Sequence, residues 1–416
     1  MLRALVAISF FALPSIQSAV PKKFAPLKFA KDGTFQISIL EDLHFGEISG
    51  IHIQQSDAWD TWGPEQDVNS VAVINRVLNA ESPDLVVLNG DLITGDNAFL
   101  ENSTVYIDEI VAPLVDRGLT WASTYGNHDS SYNLSREAIL AREHRWPNSR
   151  TEQMVFGREA GVSNYYLPVH GSLDENSTGA PELLLWFFDS RGGNYYQELD
   201  SAGDVIAQPN WVDVSVVDWF KKTNEELVKK NHKNIPSLVF VHIPTNASLA
   251  AQTEIGINQY REPGINDDST LAQQGEGWCA DGSDASICTY GGQDVPFMKA
   301  LVDTPGVLAV FSGHDHGDTW CYKWDSLLPE MTVKGNGVNL CFGQHSGYGG
   351  YGSWIRGSRQ VLVSEEKLKK KVIDSWIRLE SGGIVGSVSL NATYGGGYVS
   401  CDPRSVVVMS YLQLHS

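Results

Sequence analysis

Six short runs dense in Val, Ile, Leu and Phe each break off at a polar turn. They are FQISIL before Glu41, DLVVLNG before Asp91, TWASTYG before Asn127, LLLWFFD up to Asp189, SLVFVHI around His242 and GVLAVFSG before His314. Apolar runs of this length without alternation mark strands covered on both faces. Helix candidates stand between them at Gln66 to Ala80, Val105 to Asp116, Val214 to Lys230 and Pro296 to Val302, several with apolar residues at i, i+3 and i+4. Strand and helix in alternation give an α/β chain with covered sheets. Polar or Gly-rich connections fall near Gly171 to Ala180, Ala251 to Ser286 and Gly343 to Gly357, and the second is long enough to be functional or a lid. After Val361 the runs WIRLE, IVGSVSLN and SVVVMSYLQL are expected to finish a sheet rather than open a new domain.

The first twenty residues carry one Arg, an apolar run to about Ile16 and small residues at Ser18 and Ala19. They read as a signal peptide over residues 1–19, because the run is well short of the roughly 20 residues a spanning helix needs. No later segment is apolar enough to span. Two features agree with secretion, with the secretory pathway or a vacuole as alternative destinations. Five N-x-Ser/Thr sequons offer glycosylation at Asn102, Asn133, Asn176, Asn246 and Asn391. Five cysteines cannot all pair within one chain; the expected bridges are Cys279 with Cys288 and Cys321 with Cys341, leaving Cys401 over.

Lys and Arg number 30 against 50 Asp and Glu, a formal charge of −20. That balance argues against nucleic acid and against an anionic membrane surface as partners. An anionic substrate would need local positive charge in a cleft, where cations outweigh distant carboxylates screened within about 8–10 Å.

The polar residues just past the strand-like runs are the ones to watch, since α/β sheets place ligand sites there. In order they are Asp42-Leu43-His44, Gly90-Asp91, Gly126-Asn127-His128-Asp129, His242 and Gly313-His314-Asp315-His316. Singly, an Asp after a strand is a turn or helix cap, and a His in an apolar strand is a packed core residue. Together they form a set of Asp, Asn and His ligands suited to Mn, Fe or Zn. A period near two lets an extended or tight-turn backbone aim both imidazoles of His314-x-His316 to one side, and Asp42-x-His44 repeats the arrangement. No G-x-S-x-G elbow supports a serine hydrolase.

The ordered set D-x-H, G-D, G-N-H-D, H and G-H-x-H, from Asp42 to His316, resembles the calcineurin-like metallophosphoesterase superfamily. The stretches GHDHGDTWCYKW and CFGQHSGYGGYG look more narrowly like the purple acid phosphatase 29-like group of fungi and plants. The resemblance implies a four-layer α/β/β/α sandwich of two mixed sheets flanked by helices. On that fold residues 20–416 would form one domain, with 317–416 completing the second sheet. It also implies two divalent or mixed-valence metal ions. Asp42, His44 and His316 would bind the first, Asn127, His242 and His314 the second, and Asp91 would bridge both. One departure stands out. Purple members resemble D-x-G and G-D-x-x-Y, whereas His44 and Thr94 occupy those positions here, so a colourless enzyme is expected.

The activity implied is hydrolysis of a phosphomonoester, either a small phosphate ester or a phosphoprotein, by metal-bridged water. His128 is the candidate for stabilising the transition state or protonating the leaving group, and Asp129 the candidate for orienting its imidazole, with a helix cap as the alternative. Asn127, His128 and His345 are candidate substrate contacts, and Asp318 and Arg191 are similar to His345, each of the three being as readily a satisfied loop residue. His52, His144, His170, His232 and His415 fit no motif and read as surface or structural. A phosphodiesterase with the same site, or a catalytically silent secreted binding protein, are the competing readings.

Overall fold

The runs that end in Asp, Asn and His are strands of two sheets, and those ends lie together. The computed structural model describes residues 25–47, 64–174, 177, 179–268, 273–284 and 287–397. The expected signal peptide, Asn176, Cys401, His52, His415 and the run SVVVMSYLQL lie outside the described residues.

One sheet has six strands in the order Ile384–Leu390, Ile373–Leu379, Gly357–Ser364, Thr34–Leu40, Leu85–Asn89 and Trp121–Thr124. The last three are parallel and the others antiparallel, so the sheet is mixed. The other sheet has seven: Leu27–Lys28, Tyr165–His170, Leu183–Phe188, Ser237–Val241, Val307–Ser312, Val338–Phe342 and Cys321–Trp324. Leu183–Phe188, Ser237–Val241, Val307–Ser312 and Val338–Phe342 run parallel at its centre. The stretch after residue 317 therefore supplies strands to both sheets, two to the seven-stranded one and three to the six-stranded one, rather than completing a single sheet.

Three apolar layers separate four layers of structure. Between the sheets, Phe35, Ile37, Ile39, Leu85 and Val87 meet Leu185, Phe187, Leu238, Phe240 and Phe311. On the far side of the seven-stranded sheet, Trp186, Phe188 and Val239 pack on Val216 and Phe220 of helix Val214–Asn231 and on Phe297 and Leu301 of helix Val295–Asp303. On the far side of the six-stranded sheet, Leu40, Val86 and Leu88 pack on Ile74 of helix Pro64–Ala80, on Ile107, Ile110 and Leu114 of helix Val105–Asp116, and on Ile139 of helix Arg136–Glu143. The result is the α/β/β/α sandwich. The central strands are buried throughout, which is why their sequences are continuous apolar runs rather than alternating ones.

Hydrogen bonds join the sheets beside the strand ends. Thr124 Oγ1 donates to the Phe188 carbonyl at 2.6 Å and the Tyr165 hydroxyl to the Ser123 carbonyl at 2.8 Å. Both expected disulfides are present, Cys279–Cys288 and Cys321–Cys341, the latter pairing neighbouring strands. Among the described residues no helix is long and apolar enough to cross a membrane.

Candidate metal centre

Asp42 and His44 follow Thr34–Leu40, Asp91 follows Leu85–Asn89, and Asn127 follows Trp121–Thr124; His242 follows Ser237–Val241 directly, and His314 and His316 follow Val307–Ser312. Four of these residues adopt left-handed backbone: Asp42 at φ 53°, His44 at 49°, Asp91 at 50° and His314 at 77°. That conformation costs a non-glycine residue about 1–3 kcal/mol, and such strain collects at functional sites. Here it turns the chain sharply where side chains from both sheets converge.

The convergence is close. Asp91 Oδ2 lies 3.0 Å from His242 Nε2 and 3.7 Å from His44 Nε2. Asp42 Oδ1 lies 3.5 Å from His316 Nε2 and 3.8 Å from His242 Nε2, and His44 Nε2 is 3.3 Å from His316 Nε2. Three groups can each bring their ligand atoms within 4.8 Å of one another: Asp42, His44 and His316; Asp91, His242 and His314; and His44, Asp91 and His128. Gly126 permits the packing, since a Cβ there would meet Asp91 Oδ1 at 2.1 Å.

The surroundings fix which nitrogen faces inward. His242 Nδ1 donates to the Asn89 carbonyl at 2.9 Å, and His316 Nδ1 to the Tyr351 carbonyl at 2.8 Å. A carbonyl only accepts, so each neutral ring presents a bare Nε2 to the cluster. His44 Nδ1 is held at 3.1 Å by the Thr94 hydroxyl. Asn127 Oδ1 and the Nε2 atoms of His242 and His314 are buried without a hydrogen-bond partner, the 3.0 Å approach of Asp91 to His242 lacking bonding geometry. Buried acceptors facing carboxylates are costly unless a cation lies among them, and this nitrogen and oxygen set suits Mn, Fe or Zn.

The protein's own charges point the same way. Burial would raise the Asp91 carboxyl, but His242, His128 and His44 outweigh it and hold it well below the usual carboxylate range. Burial would lower His242, but Asp91 and Asp42 outweigh it and push the imidazole up to about 10. Carboxylates that draw a proton to His242 Nε2 draw a metal cation by the same field. Burial, aided by His242, takes His314 down to about 4.

The sequence model of the family described as Calcineurin-like phosphoesterase matches residues 42–318. The chain belongs to that family. A protein of Arabidopsis thaliana named Probable inactive purple acid phosphatase 14 is 28% identical over 367 residues, covering 84% of this chain and 79% of its own length. Phosphatase DCR2 of Saccharomyces cerevisiae is 26% identical, covering 85% of this chain and 55% of its own length. Among solved structures, a dimetal phosphatase from Danio rerio aligns with a TM-score of 0.49 at 14% identity, covering 86% of this chain and 98% of that one.

His128 differs from the other imidazoles of this calcineurin-like centre. Its side chain is 27% exposed, its Nδ1 lies 3.8 Å from Asp96 Oδ2, and its ring meets His44 edge-on at 4.9 Å. The expectation that Asp129 orients this ring is corrected. Asp129 is fully buried and accepts the amides of Leu92 at 2.9 Å, Ile93 at 3.0 Å and Gly126 at 2.9 Å, tying the Asp91 turn to the Asn127 turn. The carboxylate facing His128 is Asp96, in the turn Gly95–Asn97, which sequence reasoning missed; the only signal was an acid five residues past Asp91.

His345 is corrected too. It is 1% exposed, its ring lies 3.9 Å from that of His316, and its Nε2 faces the Gly349 carbonyl at 3.1 Å, so the Gly-rich loop encloses it behind a ligand instead of leaving it open to substrate. Asp318 accepts from Gln252 Nε2, and Arg191 Nε donates to the Trp211 carbonyl at 2.8 Å; neither joins the cluster. His144 faces the Thr151 carbonyl, His170 faces Asp174 at 3.5 Å and His232 ends a helix, all away from the cluster. Asn102, Asn133, Asn246 and Asn391 are each partly exposed. Arg136, also unforeseen, is buried and donates from Nη2 to the carbonyls of Gly126 and Gly192, bracing the Asn127 turn from behind.

Proposed function

We propose that this chain is a dinuclear-metal phosphoesterase acting on phosphomonoesters. The observation that carries the reading is Asp91, whose carboxylate groups with His242 and His314 on one side, reaches His44 of the neighbouring group at 3.7 Å on the other, and accepts the backbone amide of the partly exposed His128. Asp42, His44 and His316 would hold one ion, Asn127, His242 and His314 the other, with Asp91 common to both. Bound cations of this kind supply charge for the phosphate oxygens and lower the pKa of water toward neutrality.

The chain's own groups do the rest. His128 is placed to give a proton to the leaving oxygen, while Asp96 Oδ2 lies 3.8 Å from its Nδ1 and orients the ring. Asp129 and Arg136 keep the His128 turn at its distance from Asp91. Although three relatives carry the word inactive in their names, the full set of candidate ligands and the partly exposed His128 imidazole in this chain support turnover over a silent binding protein.

The secretory reading draws support from two disulfides and from partly exposed sequons. The core shared by the two sheets supports one domain over the described residues.

The test is release of nitrophenol from p-nitrophenyl phosphate and from its bis-ester, with Mn²⁺, Fe²⁺ or Zn²⁺ supplied. Faster turnover of the monoester is expected. Faster turnover of the bis-ester would transfer the reading to a phosphodiesterase with the same site.

A further inference from the structure

His316 is gripped at three points by one residue of the Gly-rich loop. The Tyr351 carbonyl accepts from His316 Nδ1 at 2.8 Å, and the Tyr351 hydroxyl accepts the His316 backbone amide at 3.0 Å. The phenol ring lies parallel to the imidazole, 4.0 Å between centroids and 12° between planes. The hydroxyl donates onward to Asp268 Oδ2, which also accepts the Gly317 amide at 3.1 Å.

The loop is built to bring Tyr351 there. Gly350, at φ +75°, passes so near the ligands that a Cβ would lie 2.5 Å from His316 Cε1 and 2.8 Å from His44 Cδ2. Its amide donates to Glu47 Oε2 at 2.6 Å. Arg356 is buried and binds the carbonyls of Gly347, Gly352 and Trp354, fixing the loop on either side of Tyr351.

We infer that Tyr351 is a positioning residue for His316, and hence for the metal site of Asp42, His44 and His316, with Asp268 as its outer anchor. The inference rests on the dinuclear reading above. A carbonyl on Nδ1 holds the tautomer and strengthens Nε2 as a ligand. The hydroxyl secures the backbone of the same residue, and the stacked ring stops the imidazole from turning. His314, assigned to the other ion, touches this device only through its carbonyl, which the same hydroxyl approaches at 3.4 Å. The two sites should therefore respond unequally.

The experiment is titration of the metal-free full chain with Zn²⁺ against a chromogenic chelator, for wild type, Tyr351→Phe, Tyr351→Leu and Asp268→Ala. Far-UV circular dichroism reports the fold of each. Wild type should take up two ions. Tyr351→Phe keeps the ring and carbonyl and loses the hydroxyl, so one ion should bind about tenfold more weakly; Tyr351→Leu loses the stack as well, and the factor should approach about a hundredfold. The second ion should keep its affinity in both. Asp268→Ala, at a partly exposed position, should weaken the same ion alone. Folded variants that bind both ions as wild type does, or that lose both together, overturn the inference. If the Tyr351 variants do not fold, unchanged affinity in Asp268→Ala overturns it by itself. A wild-type chain that binds fewer than two ions overturns the dinuclear reading, and the assignment of Tyr351 with it.

Discussion

The backbone amide of His128 donates to Asp91 Oδ1 at 2.8 Å, while Asp91 Oδ2 lies 3.0 Å from His242 Nε2. One carboxylate thus fixes the turn that carries the partly exposed imidazole and also faces the buried ones. Asp91 therefore couples the proposed acid to the proposed ligands, whereas the His128 ring can be removed without removing an assigned ligand.

His128→Ala should lower turnover of p-nitrophenyl phosphate by about 10²–10⁴-fold while the protein keeps two ions, as loss of an acid catalyst would. Asp96→Asn should lower it about tenfold, acting through the ring it faces. Steady-state kinetics beside metal analysis checks both. Full activity in His128→Ala would remove that residue from the mechanism.

Asp129→Ala leaves three buried amides without an acceptor. At about 1–3 kcal/mol for each unsatisfied group, a loss of at least about 3 kcal/mol is expected in urea unfolding of the metal-free chain. Unchanged stability with a large fall in turnover would instead return Asp129 to the role of orienting His128.

That Asp42, Asp91, His242 and His314 come together was legible because each closes an apolar run, and parallel strands deliver their ends to one place. Helix Val105–Asp116 was legible to the residue, and Val295–Asp303 nearly so, from its apolar spacing. Helix Arg136–Glu143 was missed: eight residues are too few for a clear period, although Ser135 caps it by accepting the Ala138 amide at 3.1 Å. Strand Tyr165–His170 contains Pro168, which hides it. Partners outside the motifs were hidden because they depend on backbone direction. Nothing in the letters gives the left-handed turns at Asp42, His44 and Asp91, or the path that sets Tyr351 against His316.

Gly126→Ala isolates packing from backbone strain, since its φ of −101° suits any residue. The added methyl would press on Asp91 Oδ1, on the Asp91 amide at 2.5 Å and on His242 Cδ2 at 2.6 Å. Overpacking of this kind costs about 1–3 kcal/mol. Metal affinity should fall by about tenfold or more in chelator competition, and wild-type affinity would show that the turn can shift without cost.

Stability should also carry a pH signature from Asp294. Burial pushes its carboxyl up to about 6, against the pull of bonds from the Tyr290 hydroxyl and the Asn246 amide. The folded state therefore holds the proton more tightly than the unfolded chain. The stability this gives is full below about pH 4 and is lost as pH rises through about 6, by up to about 3 kcal/mol for a shift of about two units. Urea midpoints between pH 4 and 7 should show this fall in wild type and lack it in Asp294→Asn. Parallel curves for the two proteins would contradict the assignment.

On the proposed function, two cations sharing Asp91 make this chain a phosphoesterase. The most direct measurement is activity on p-nitrophenyl phosphate as Mn²⁺ is titrated into the chelator-treated, folded chain. No turnover is expected without metal, and a rise that saturates at two ions per chain with it, Asp91→Ala failing to reach either. Turnover untouched by chelation, or a chain that takes up two ions and still releases no nitrophenol, would contradict it.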